Sequence, residues 1–114
     1  MPRTAKIFSG TARRLAITSS GRPRPELEAA SDLLRALASP IRLGIVRELA
    51  DGGKRVHELV TALGVSQPLV SQHLRVLRAS RIVTAHRQAR EIEYTLTDEH
   101  VAHIVLDAIR HTQE

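Results

Sequence analysis

The stretch "VHELVTALGVSQPLVSQHLRVLRASRI", residues 56–82, decides the fold. Its apolar residues recur at helical spacing in two runs, and Gly64 separates them. The second run follows Ser66 and Pro68, which suit a helix start because a serine side chain can cap the first turn and first-turn amides have no intrahelical partner to lose. Its core positions are Val70, Leu74 and Leu77. Two short helices joined by a tight turn with glycine predict a helix-turn-helix.

The flanking segments complete a winged helix-turn-helix. A helical pattern opens at Pro25 and ends before Ser39, and Pro40 opens another that stops at Gly52. Downstream, Ile82 starts a short strand, residues 85–90 form a basic tip, and residues 91–96 alternate polar and apolar as a second strand. Thr97 or Asp98 then caps a last helix. We therefore predict a mainly α fold with a small β-hairpin over residues 25–114.

Composition narrows the class of protein. A chain of 114 residues is long enough for one compact domain, and the absence of cysteine excludes disulfides, thiolate metal sites and thiol redox sensing. The aromatic residues are only Phe8 and Tyr94, so base stacking on aromatic platforms is disfavoured. No apolar run approaches the ~18 residues of a membrane span. We expect a soluble, cytoplasmic protein without a membrane partner.

Residues 1–24 read as a separate flexible basic arm. They hold six basic groups and no acid, and they mix Arg, Ser, Thr, Gly and Pro without a sustained period. Three interpretations stay open for this arm: a disordered tail, an organellar targeting segment, and an arm that contacts DNA.

Residues 66–90 carry five arginines and no acid, although the chain has twelve acidic residues. This stretch coincides with the second helix of the motif and with the first strand and tip of the predicted hairpin, the wing. Such a run of cations without acids indicates a polyanion partner. The N-terminal part of a recognition helix usually reads base edges, so Gln67, Ser71 and Gln72 are the predicted base readers. Arg75 and Arg78 are predicted to contact phosphates, and Arg87 and Arg90 to contact the DNA backbone or an adjacent minor groove. The predicted partner is double-stranded DNA.

The last helical stretch, "DEHVAHIVLDAIRHTQE" at residues 98–114, carries a stripe of potential metal ligands. On a helical wheel its three histidines fall with Asp107 and Glu114 within about 80° of one another. His100 and His111 lie ~16 Å apart along the axis, too far to share an ion within one helix. Two antiparallel copies, however, would bring Asp98 and His100 of one chain against His111 and Glu114 of the other, and a two-fold axis would form the site twice.

Two imidazoles and two carboxylates suit Zn²⁺, with Co²⁺ and Ni²⁺ as alternatives, whereas soft ions are disfavoured without thiolate. His103 and Asp107 lie between the two ends and are expected to be structural or auxiliary, although a six-coordinate site could recruit His103. Acids at a helix start and histidines near its end also suit the helix macrodipole without any metal. The motif "HELVT" at residues 57–61 lacks the second histidine of a zinc-protease helix, and we expect no enzymatic activity.

The segments "LGVSQPLVSQHLRVLRASRIV" and "EIEYTLTDEHVAHIVLDAIRHTQE" resemble the ArsR/SmtB family of winged-helix metalloregulatory repressors over residues 26–114. The spacing of Asp98, His100, His111 and Glu114 matches the zinc site on the C-terminal helix of the SmtB-like branch. The resemblance implies a homodimer through terminal helices, two inter-subunit zinc sites, and operator binding that metal reverses. It also implies that the histidine at position 111 bonds to a main-chain carbonyl near the end of the recognition helix, at about Arg81. The family's other, cysteine-based site is absent here.

Two alternatives stay open beside a metal-responsive repressor. One is a winged-helix regulator that is indifferent to metal and uses its last helix only to dimerise. The other is a structural or enzymatic metalloprotein that does not bind duplex DNA.

Overall fold

A computed structural model describes residues 24–114, so the predicted arm lies almost wholly outside the described residues. The chain divides into two compact units, one ending at Arg35 and one spanning Ala36–Glu114. The described part of the first unit is most of helix α1, Pro25–Leu37. Two of its leucines, Leu27 and Leu34, are 47% and 55% exposed, and their spacing of seven residues puts them on one face of the helix.

The second unit contains four further helices and a three-stranded antiparallel sheet of order β1-β3-β2. Along the chain its elements are α2 Pro40–Leu49, β1 Lys54–Arg55, α3 Val56–Leu63, α4 Gln67–Ala79, β2 Val83–Gln88, β3 Glu91–Leu96 and α5 Glu99–Thr112. The predicted helices and the winged helix-turn-helix are therefore confirmed.

The sheet differs from the prediction in two respects. A third strand, β1, pairs with β3 through Lys54 and Arg55, and two residues are too few to show an alternating pattern in the sequence. Most of the predicted basic tip belongs to β2, since the ladder continues to Gln88 opposite Glu91. The turn is therefore short, and Ala89 occupies the left-handed region with φ 58°.

Local capping explains where the helices begin and end. The Ser39 hydroxyl accepts from the Arg42 amide at 3.3 Å, and the Ser66 hydroxyl accepts from the Leu69 amide at 3.4 Å. Asp98, rather than Thr97, caps α5 by accepting from the His100 amide at 2.8 Å. Gly64 ends α3 with φ 68°, a conformation that glycine adopts without steric cost.

The core of the second unit is aliphatic. Its largest fully buried side chains come from α2, α3, α4, α5 and the residue that precedes β2: Ile45, Leu59, Leu74, Leu77, Ile82, Val46, Val70 and Val105. Burying each such side chain contributes about 1.5–3 kcal/mol. Val70, Leu74 and Leu77 fix the roll of α4, and Val105 fixes that of α5.

Arg42 links three helices around this core. Its Nε donates to the carbonyl oxygen of Ala36 at 2.6 Å, and its terminal nitrogen lies 3.0 Å from Nδ1 of His73 on α4. Because a guanidinium can only donate, Nδ1 of His73 must accept and its proton must sit on Nε2. Burial, and secondly the charge of Arg42, lower the pKa of His73.

We expect this histidine to make stability depend on pH. As the pH falls below about 6.5, the unfolded histidine takes up a proton before folded His73 does. The free energy of unfolding should therefore fall between that pH and the lower folded pKa. His73→Gln cannot titrate but keeps an acceptor for Arg42, so the difference in unfolding free energy between variant and wild type should change across this window and be constant above it.

Urea denaturation in the presence of a chelator, repeated from about pH 5 to about pH 8, measures that difference. His86→Gln, at an exposed histidine of β2, is the matched control. A difference for His73→Gln that stays the same throughout this range would contradict the prediction.

Candidate nucleic-acid interface and metal centre

Helix α4 presents most of the predicted DNA contacts to solvent. Gln67, Gln72, Arg75 and Arg78 are exposed, whereas Ser71 is only partly exposed. On a helical wheel centred on the buried Val70, positions 67, 71, 75 and 78 fall at roughly 60° to 140°. This stripe of residues 67, 71, 75 and 78 therefore runs beside the buried face of α4.

An open groove of about 290 Å³ lies where the N-terminal end of α4 meets the wing. It brings together two of the predicted contacts, Gln67 and Arg90. The other lining residues come from β1, α3 and β3: Arg55, Val56, His57, Glu91, Ile92 and Tyr94. The groove is thus bounded by charged, polar and apolar side chains of elements that are far apart in the chain.

Sequence reasoning missed Arg55 and His57 as members of this surface. Both precede the acid-free stretch, and the two-residue strand that places Arg55 beside the wing has no readable pattern. An ion pair between Arg55 Nε and Glu91 Oε1, 2.9 Å long, joins the start of α3 to β3.

The wing arginines occupy different positions. Arg87 lies in β2 opposite Ile92 and shares its face of the sheet, whereas Arg90 lies in the turn. Arg81 is exposed just after α4, with φ 61° and its amide donating to the Arg78 carbonyl at 3.0 Å. This left-handed residue reverses the chain between the recognition helix and the wing.

The predicted metal ligands lie at the two ends of α5. Asp98 Oδ1 caps the helix and lies 3.5 Å from Nδ1 of His100, so these two residues are neighbours. His111 lies in the last turn of the helix and Glu114 follows it. Within residues 24–114 of a single chain, no three His, Asp or Glu side chains converge into a metal site.

One face of α5 is buried against the domain and another is exposed. Val101, Ala102 and Val105 are buried, whereas Ile104 is 39% exposed. On the helical wheel Ile104 lies about 20° from His111, so an exposed apolar side chain borders the predicted ligands. Asp107 pairs with Arg110 at 3.2 Å, and both side chains are exposed.

The donor set at each end of α5 fits zinc chemically. Each end offers one imidazole and one carboxylate, and two such halves give the four nitrogen and oxygen donors of a tetrahedral site. The cap uses Oδ1 of Asp98, so its Oδ2 can serve as a ligand atom while the cap holds the side chain in place.

No helix of residues 24–114 combines the length and the apolar character needed to cross a membrane.

Comparisons with known proteins agree with the fold. Residues 39–85 match the family described as "Bacterial regulatory protein, arsR family". The HTH-type transcriptional repressor SmtB of Mycobacterium tuberculosis is 56% identical over 92 residues, which cover 81% of this chain and 68% of the relative.

Solved structures show the same architecture. HlyU from Vibrio cholerae superposes with a TM-score of 0.72 at 32% identity, over 80% of this chain and 99% of that one. A homodimeric winged helix-turn-helix DNA-binding domain from Mycobacterium bovis, described as a possible ArsR-family regulator, gives a TM-score of 0.69 at 28% identity, over 78% and 82%. The chain described here therefore belongs to the ArsR/SmtB family of winged-helix transcriptional repressors.

Proposed function

We propose that this repressor binds operator DNA as a metal-free homodimer and is released when a divalent metal ion, most favourably zinc, binds between its subunits. The observation that carries the proposal is the arrangement of α5, which holds Asp98 and His100 at one end and His111 and Glu114 at the other. Each half-set is incomplete alone. An antiparallel second copy completes both.

Three features support a dimer through α5. Ile104 is exposed beside the predicted ligands, and burying it against a second copy would remove apolar surface from water. Ala108, one turn further, is exposed and small enough to allow close approach of two helices. The similar domain from Mycobacterium bovis is itself described as homodimeric.

The side chains would act as a paired clamp. The Asp98 carboxylate is oriented by its bond to the His100 amide, so one half of each site is held ready by the helix start. His111 and Glu114 of the second chain would supply the other half. Together these side chains would hold an ion that cross-links the two helices, and hydrogen bonds from the ligating side chains to neighbouring groups would orient them. We place one such bond between His111 and the main-chain carbonyl of Arg81.

DNA affinity would depend on the distance between the two recognition helices of the dimer. They must lie about one helical turn of DNA apart, ~34 Å, to occupy two half-sites. Metal binding can weaken DNA binding only if the ion has higher affinity for a dimer with a different spacing. A typical coupling of ~1–3 kcal/mol corresponds to a ~5- to 150-fold loss of DNA affinity.

In this function the exposed stripe of α4 and the wing both contact the duplex. Gln67, Ser71 and Gln72 read base edges in the major groove. The arginines of the stripe and the wing hold the phosphate backbone: Arg75, Arg78, Arg87 and Arg90.

A repressor that does not respond to metal is the second candidate. Asp98 is fully explained as an N-cap, and Arg110 and His111 in the last turn suit the helix macrodipole. These residues could therefore have purely structural roles in α5.

Zinc should lower the affinity of the wild-type protein for the DNA upstream of its own gene by ~5- to 150-fold. His111→Ala should bind the same DNA without zinc as tightly as wild type but should not be released by zinc. Fluorescence anisotropy with and without zinc measures both, and equilibrium dialysis measures zinc binding directly. His86→Ala, on β2, is the matched control and should respond like wild type.

Tight DNA binding by wild type that zinc leaves unchanged, together with no tight zinc in dialysis, would establish the metal-indifferent repressor instead.

The predicted DNA contacts should separate into two classes. Gln72→Ala should relax discrimination between operator variants by ~1–3 kcal/mol at one base position, because it removes a base contact. Arg78→Gln should weaken binding to all sequences and reduce the slope of log affinity against log salt by about one. Affinity titrations at several salt concentrations check both. Equal effects of Gln72→Ala on all sequences would show that Gln72 reads no base.

A further inference from the structure

The ion pair between Arg55 and Glu91 lies inside the groove between α4 and the wing. Its two atoms, Arg55 Nε and Glu91 Oε1, are 2.9 Å apart, and the side chains are 44% and 52% exposed. Both residues line the groove together with the predicted DNA contacts Gln67 and Arg90. A duplex bound to α4 and the wing would therefore pass over this ion pair.

The backbone around Arg55 is fixed independently of this ion pair. Its amide donates to Oε1 of Glu58 at 2.8 Å, and the residue pairs with Glu93 in the β1–β3 ladder. The start of the Arg55 side chain is thus anchored by two elements, while its guanidinium faces open solvent at the groove.

The charges of the groove favour a polyanion. Two arginines, Arg55 and Arg90, line it, and Glu91 is the single carboxylate among the lining residues. A carboxylate and a phosphate offer a guanidinium the same pair of acceptor oxygens. An ion pair exposed on both sides contributes little to stability, so an exchange of acceptors is inexpensive.

We propose that Arg55 contacts the DNA backbone, and that Glu91 occupies in the free protein the place on Arg55 that a phosphate oxygen takes in the complex. Glu91 is then an internal competitor of DNA that lowers affinity for every sequence. The proposal rests on DNA binding through α4 and the wing, and it adds a backbone contact and a built-in competitor to that surface.

The test uses a mixed-sequence duplex of about three helical turns, since phosphate contacts do not depend on sequence. Arg55→Gln should weaken binding several-fold and reduce the slope of log affinity against log salt by about one. Arg55→Lys should keep the slope, because the charge remains, and lose part of the affinity with the guanidinium fork. Glu91→Gln should tighten binding several-fold, most at low salt.

The double variant separates competition from general repulsion. If Glu91 acts by occupying Arg55, Glu91→Gln should tighten binding clearly less in the Arg55→Gln background than in wild type. Arg110→Gln is the matched control, since it removes an exposed arginine that is paired with a carboxylate at 3.2 Å on α5. It should leave the salt slope unchanged, and circular dichroism verifies that every variant is folded.

An unchanged salt slope for Arg55→Gln would overturn the proposal, and so would an equal gain from Glu91→Gln with and without Arg55. Release of the wild-type protein from its operator by zinc is measured alongside. If that release occurs while Arg55→Gln behaves as wild type, the inference fails and the proposed function stands. If the wild type binds no duplex at low salt, both fail together.

Discussion

The fixed rise of an α-helix is the constraint on which the proposed inter-subunit metal site depends. Helix α5 spans 14 residues, so the side chains at its two ends cannot approach each other within one chain. Packing of Val101, Ala102 and Val105 fixes the roll of the helix. The proposed half-site at each end is therefore held in a fixed orientation. In the proposed function, this divided ligand set would be completed only when a second chain lies alongside, and metal affinity would then depend on the arrangement of the two subunits.

Packing of the recognition helix α4 determines the DNA surface in the same way. Burial of Val70, Leu74 and Leu77 sets the roll of α4 and thereby exposes the arginines of its stripe. Arg42 connects the carbonyl of Ala36 to His73 and so ties the recognition helix to the end of α1.

The sequence predicted the elements whose apolar residues recur at a regular spacing, but it did not predict strand β1, which is too short to show one. The helices of the motif were predictable because apolar spacing, Gly64 and the serine caps agree with one another. Strand β1 has two residues and no pattern, so the position of Arg55 beside the wing could not be foreseen. The ion pair with Glu91 depends on that strand and was missed for the same reason. Ser71 was predicted to lie on the exposed stripe of α4, but its side chain is partly covered. The separation of Asp98 and His100 from His111 and Glu114 along α5 was predictable, because helical rise alone determines it.

Mixing two defective chains tests the inter-subunit geometry most directly. His100→Ala and His111→Ala homodimers should each lose tight zinc binding, since every site loses one imidazole. In a mixed dimer of the two variants, one site loses both histidines and the other keeps its full ligand set. Tight zinc binding, measured by dialysis, should return when the two variant chains are unfolded together and refolded as a mixture. Zinc binding that stays absent in the mixture, or that either homodimer retains, would contradict the proposed inter-subunit site.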